Sequence, residues 1–320
     1  MNKKPRTLAI SITLALTVAL TGCSQVDPAK DGVVRVTTST AVWGAIVDEI
    51  ANGAVQVTSI VNKPTQDPHE FEASARDQLA VSKADLAIYV GNGYDNFMKQ
   101  LTGASHLPDS RVLQLDPKNT TVQNSDGYSV DDPHVWYDLK LVSGYAVRIA
   151  ERIRTLIRAE TPTAEVAAAL AMVDAGLAKL QGEIKAELAA AFIKGGAKPL
   201  NLIQTESVGF RMLNPFVKDL TPAGLRQASL NGTDISVATM RQLQVTFASV
   251  RNQKAGAVWV LSLNAQQSTP QIEEIRAWAK SAEVPIITFS ENMPGGGTFM
   301  GWMQQNRRLV MTLYTLPIVF

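Results

Sequence analysis

Val55-Gln-Val-Thr-Ser-Ile-Val61-Asn-Lys-Pro-Thr-Gln-Asp67-Pro-His69 is a β-branched run that stops at a proline turn and places a histidine just beyond it. Val, Ile and Thr suit a pleated strand, and Asn62-Lys63-Pro64 ends it. Upstream, Val34 to Thr40 reads as another strand and Ala41 to Ala51 as a helix. Downstream, Ala75 to Lys83 is helical, Asp85 to Gly91 a strand, Tyr94 to Leu101 a helix and Arg111 to Leu115 a strand. Strands separated by helices at this spacing predict a parallel sheet covered on both faces. Ligands of such sheets bind beyond the carboxyl ends of the strands, and His69 falls there.

The alternation pauses and then restarts. Leu139 to Arg158 reads as a helix, and Thr161-Pro162-Thr163 opens another with Thr161 as N-cap and Pro162 at the first helical position. This second helix runs to about Lys194 with only Gly176 and Gly182 as possible breakers. At about 1.5 Å per residue it would be ~45–50 Å long, more than the width of a small domain, so it is expected to span two lobes. After Gly195-Gly196, strands are expected over Leu200–Thr205, Leu225–Leu230, Ala257–Ser262 and Pro285–Phe289. Helices are expected over Ser207–Val217, Val237–Val250, Thr269–Ala282 and Phe299–Tyr314. The expected fold is α/β: two lobes, 33–150 and 198–320, each with a mainly parallel sheet flanked by helices, joined by one long rigid helix over 159–194.

The 320 residues are 46% apolar and 18% charged with a formal net charge of +1, which leaves no basic excess to argue for nucleic acid. Lys3, Lys4 and Arg6 precede the uncharged stretch Leu8 to Leu20, a length suited to a signal peptide over 1–22 and short for a bilayer span. It ends in Leu20-Thr21-Gly22-Cys23, which resembles the bacterial lipobox, with Cys23 the chain's single cysteine. The resemblance implies acylation of Cys23, and several acyl chains give the stable bilayer anchoring that one cannot. Residues 23–32 would then be a polar tether, and the mature protein would face outside the cytoplasm, at the cell surface or in the periplasm.

Of three histidines, two occur in one setting: Asp67-Pro68-His69-Glu70-Phe71-Glu72 and Asp132-Pro133-His134-Val135-Trp136-Tyr137-Asp138. Proline fixes its own φ and biases the preceding Asp away from helix, so each His lies in or just after a turn. Imidazole is the commonest protein metal ligand, and two from distant segments can close on one ion if the fold joins them. Plain turn chemistry, with Asp as a helix cap, explains the same pattern. His106, in the loop Gly103 to Pro108, reads as a surface residue, and Trp136 and Tyr137 as packing.

The lipobox, both Asp-Pro-His runs, Ser82-Lys83-Ala84-Asp85-Leu86 and the long helix, in this order, resemble the metal-binding lipoproteins of bacterial zinc and manganese ABC importers, the solute-binding protein 9 family. The resemblance implies first-lobe ligands His69 and His134, and second-lobe ligands after the first and last strands, which fall at Glu206 and Glu291. Both carboxylates also lie at carboxyl ends of predicted strands, although Glu206 could serve a following helix dipole and Asp234 competes with Glu291 as oxygen donor. Two imidazoles with two carboxylates suit one divalent ion, Zn²⁺ or Mn²⁺, and are poor for Cu(I). Glu72, Asp132 and Asp138 are candidate acceptors for imidazole N–H groups.

The implied function is a monomeric receptor, not an enzyme, that captures the ion between its lobes and delivers it to an ABC permease driven by an ATPase. Neutral imidazole is the ligand, so affinity is expected to fall with falling pH. A metal-dependent hydrolase is the rival reading, but it needs an open coordination position and a general base, and no His-Glu-x-x-His run occurs. A metal-binding adhesin is compatible with the receptor. The chain departs from the family in having no histidine in Lys118 to Ser129, in carrying Val208 where an aromatic is expected, and in its apolar tail Thr315 to Phe320.

Overall fold

Thr- and Val-rich Arg35–Thr40 forms β1 and feeds directly into α1 (Ala41–Ala51), whose buried Val42, Trp43, Ile46, Val47 and Ile50 recur at helical spacing. These elements belong to a computed structural model that describes residues 32–115, 121–123, 129–190, 199–251 and 258–315. Cys23, the expected signal peptide and tether, the end of the long helix past residue 190 and the tail 316–320 lie outside the described residues.

The first lobe continues with β2 (Gln56–Val61), α2 (Ala75–Ser82), β3 (Leu86–Tyr89), α3 (Asn96–Ala104) and β4 (Val112–Gln114). Its strands pair in parallel in the order β2-β1-β3-β4. A short antiparallel pair, β5 (Thr121–Gln123) with β6 (Ser129–Asp131), follows where no strand is expected from sequence. Two long helices come next, α4 (Leu139–Glu160) and α5 (Thr163–Ala190). Thr161 is the C-cap of α4 instead of the N-cap of α5, and α5 begins just after Pro162, whose missing N–H costs nothing at a helix start.

The second lobe comprises β7 (Leu200–Gln204), a short α6 (Phe210–Leu213), β8 (Val217–Asp219), α7 (Ala223–Asn231), α8 (Val237–Arg251), β9 (Trp259–Asn264), α9 (Pro270–Ser281), β10 (Ile286–Phe289) and α10 (Phe299–Thr315). Its parallel order β10-β9-β7-β8 is that of the first lobe: counted within each lobe, 2-1-3-4.

Two expectations fail here. The run Leu225–Leu230 is not a strand but lies in α7: Leu225 and Ala228 bury one helical face, and Gly232 ends the helix in the left-handed conformation at φ 60° and ψ 36°. The strand's place is taken by Val217–Asp219, at the end of what reads as a single helix over Ser207–Val217. That helix is broken because Pro215 lacks the N–H an α-helix needs, so its second half is a 3₁₀ turn.

Three apolar clusters organise the layers. One packs α2 and α3 on the outer face of the first sheet through Val81, Ala87, Phe97 and Met98. A second packs α7, α8 and α9 on the outer face of the second sheet through Leu225, Leu243, Leu261 and Ile275. The largest is shared: Val36 and Ile88 of the first sheet, Leu202 and Val260 of the second, and α1, α4, α5 and α10 contribute to one continuous core. Gly32–Phe320 accordingly forms one compact unit.

Candidate metal centre

Each Asp-Pro-His run folds into the same local turn. The carboxylate of Asp67 accepts the N–H of His69 at 2.8 Å, and that of Asp132 accepts the N–H of His134 at 3.0 Å. The turn reading and the ligand reading are therefore compatible: the Asp shapes the turn that aims the imidazole. Asp132 does more, since its Oδ1 also lies 2.7 Å from Nδ1 of His134. Accepting that N–H fixes the tautomer of the neutral ring, with Nε2 facing the cleft.

The second lobe supplies Glu206, two residues past β7, and Glu291, two past β10. Because β9 lies between these strands, its last residue, Asn264, stands between the two carboxylates. Its Nδ2 donates to Glu206 Oε2 at 2.6 Å and to Glu291 Oε1 at 2.7 Å. Gln267 adds a bond to Glu206 Oε2 at 2.7 Å, and the Glu291 N–H donates to Gln266 Oε1 at 3.1 Å.

His69, His134, Glu206 and Glu291 each present one ligand atom, and these lie within 4.8 Å of one another. His69 Nε2 is 3.9 Å from Glu206 Oε1 and 3.7 Å from Glu291 Oε2; His134 Nε2 is 3.8 and 3.9 Å from the same atoms. Those gaps are too long for hydrogen bonds. Donor atoms at about 2.0–2.2 Å from one tetrahedral ion would be ~3.4 Å apart, so small shifts would close the set. His134 Nε2 and Glu291 Oε2 are buried without a hydrogen-bond partner, an arrangement a folded chain seldom tolerates unless something else fills it. His69, with its side chain 34% exposed, stands at the mouth.

The electrostatics agree with a site built for a cation. Burial, then the Glu206 charge, pushes Glu291 up to about 8, and burial also raises Glu206. Burial pulls His134 down, but the hydrogen bond and charge of Asp132 and the charges of Glu291 and Glu206 outweigh it and raise the group to about 9. Burial and the neighbouring His134 lower His69 to about 4. Glu291 and His134 in this dry cleft thus hold protons near neutral pH that a dication would displace.

The profile of a family described as zinc-uptake complex component A periplasmic, ZnuA, matches residues 36–310. The chain belongs to this family. The manganese-binding lipoprotein MntA of Halalkalibacterium halodurans is 30% identical over 139 residues, 42% of this chain and 44% of that protein. The zinc-binding protein TroA of Treponema pallidum is 31% identical over 139 residues, with the same shares of 42% and 44%. The match thus spans less than half the length of these curated relatives. The solved structure of the periplasmic zinc binding protein TroA superposes with a TM-score of 0.66 at 22% identity, covering 88% of this chain and 99% of that one. At that identity the likeness speaks for the fold.

In this ZnuA-family chain the other candidate residues have separate places. Asp138 caps α4 through the N–H groups of Lys140 and Leu141. Glu72 is exposed, and among the described residues no hydrogen bond joins it to an imidazole. Asp234 and His106 are exposed and outside the cluster, and Glu206 precedes α6 by four residues and meets side-chain amides instead of a helix end. Trp136 packs edge-on to His134 at 5.3 Å, and the Tyr137 hydroxyl donates to Ser290 O at 2.8 Å across the lobes.

Sequence reasoning missed three contributors. Tyr94 stands edge-on to His69 at 5.0 Å and is 5.9 Å from His134. Arg211 reaches from the second lobe to donate to Asp132 O at 2.6 Å. Asn264 escaped because the strand was ended at Ser262; two more residues would have placed it level with the carboxylates.

Proposed function

We propose that this protein is an extracytoplasmic receptor that captures one Zn²⁺ or Mn²⁺ ion between its lobes through His69, His134, Glu206 and Glu291, and hands it to an ABC permease powered by an ATPase. The observation that carries this reading is the converging quartet, with buried His134 Nε2 and Glu291 Oε2 facing each other at 3.9 Å and otherwise unpartnered. Family membership and the metals named for MntA and TroA support it. The lobes are taken as 33–150 and 198–320 with 159–194 between them, and acylated Cys23 holds a monomer at the outer side of a membrane.

The ion enters past His69, the most exposed of the four. Two carboxylate charges balance the dication, and protons on His134 and Glu291 leave as it binds. Delivery requires that one lobe's pair of ligands be pulled from the other's. All four converging side chains are consumed as ligands, which leaves no general base for a hydrolase.

The test is metal content of the full-length chain, purified without chelator, beside Glu206→Ala. About one Zn²⁺ or Mn²⁺ per chain in the parent and none in the variant, with Tm raised by added metal only in the parent, is the expected result. No bound ion and no Tm response in the parent would refute the receptor.

A further inference from the structure

We propose that Asn264 sets the coordination number of the site, and through it the choice between Zn²⁺ and Mn²⁺; the inference rests on the receptor reading above. Asn264 is 1% exposed, and its orientation is determined: Oδ1 accepts the N–H of Gln266 at 2.9 Å, so Nδ2 points at the carboxylates. That one NH₂ group gives a hydrogen to each, at 2.6 Å to Glu206 Oε2 and 2.7 Å to Glu291 Oε1. Gln267 holds Glu206 Oε2 a second time.

A carboxylate can offer a metal one oxygen or both. Here one oxygen of each is committed to amide hydrogens, and the other, Glu206 Oε1 or Glu291 Oε2, faces the histidines. A cation approaching the committed oxygens would meet the positive end of the Asn264 amide dipole. Each glutamate is therefore confined to a single bond, and the protein supplies four ligands in all. Zn²⁺ is satisfied by four donors in a tetrahedron, whereas Mn²⁺ favours more oxygen donors, as a two-oxygen carboxylate would provide. Asn264 thus penalises the larger coordination shell. The clamp is a consequence of topology, because β9 lies between the strands that carry the two glutamates.

The probe is Co²⁺, whose four-coordinate complexes absorb visible light much more strongly than five- or six-coordinate ones. The full-length chain and Asn264→Leu are each titrated with Co²⁺, Zn²⁺ and Mn²⁺. The parent is expected to give the intense four-coordinate spectrum and to bind Zn²⁺ more tightly than Mn²⁺. In Asn264→Leu the Co²⁺ bands should weaken, and the Zn²⁺-to-Mn²⁺ affinity ratio should fall by about 10-fold, the scale on which groups behind metal ligands act. A weak, higher-coordinate Co²⁺ spectrum in the parent overturns the proposal while leaving the receptor intact, and that readout does not depend on the variant folding. So does a folded Asn264→Leu with unchanged spectrum and ratio. A parent that binds none of the three ions overturns the receptor, and the inference with it.

Discussion

Two buried groups at the centre tie metal affinity and apoprotein stability to pH with opposite signs. His134 is raised to about 9, so the stability it contributes is complete below its unfolded value near 6.5 and is lost as pH rises to about 9. Glu291 is raised to about 8, so its neutral form is favoured in the fold and stability is lost as pH climbs from about 4.5 to 8. Both act in one direction: the metal-free protein should unfold more readily at pH 9 than at pH 6.5, by an amount on the order of 3–5 kcal/mol. Affinity should run the other way, since protons on the same groups compete with the ion. Denaturant titration of the apoprotein and metal titration across this range measure the two trends, and parallel trends would contradict the assignment. Asp132→Ala should weaken metal binding about 10–100-fold, because His134 loses the acceptor that fixes its tautomer. An unchanged Kd by calorimetry would show that Asp132 serves only its turn.

Helix α5 carries two glycines that sequence alone treats alike and the structure separates. A Cβ at Gly176 would stand 2.3 Å from Ile50 O and 2.5 Å from Glu49 O, where α5 crosses the end of α1. A Cβ at Gly182 would meet nothing within 4 Å. Gly176→Ala should therefore destabilise by about 1–3 kcal/mol, through forced separation of the two helices. Gly182→Ala should stabilise by up to about 1 kcal/mol through helix propensity. Thermal unfolding of the pair decides it, and equal shifts would mean that α5 does not press on α1. The same helix buries Val173, Leu180, Ile184 and Glu187 along one stripe, and Glu187 pairs with Arg307 of α10. Helix α5 thus touches both lobes along its side, through α1 and α10.

At the scale of the molecule, the lobes are joined by more than a linker. The shared core contains residues of both sheets, and across the cleft Asn292 donates to Gln66 O at 2.6 Å and Gln266 to Pro64 O at 2.5 Å. Loading should therefore change the radius of gyration by less than about 1 Å, the small backbone movement of preorganised partners. Small-angle scattering with and without Zn²⁺ tests this, and a hinge-like contraction of several ångströms would refute it. Much of this architecture was legible in the chain. The alternation of β-branched runs with helical periods is local chemistry, so β1, α1, β2, β10 and most other elements fall within a residue or two of their sequence expectation. The two Asp-Pro-His turns were readable for the same reason. Val217–Asp219 and Leu225–Leu230 were not: three residues carry no periodicity, and a short apolar pair suits either state until the neighbouring strand is in place. What the sequence by itself determined was which residues could ligate a metal and which ends of which strands carry them. Strand order belongs to the tertiary structure alone, because it depends on contacts between segments far apart in the chain. By inserting β9 between β7 and β10, it placed Asn264 between two glutamates and brought those glutamates within 4 Å of two histidines from the other lobe.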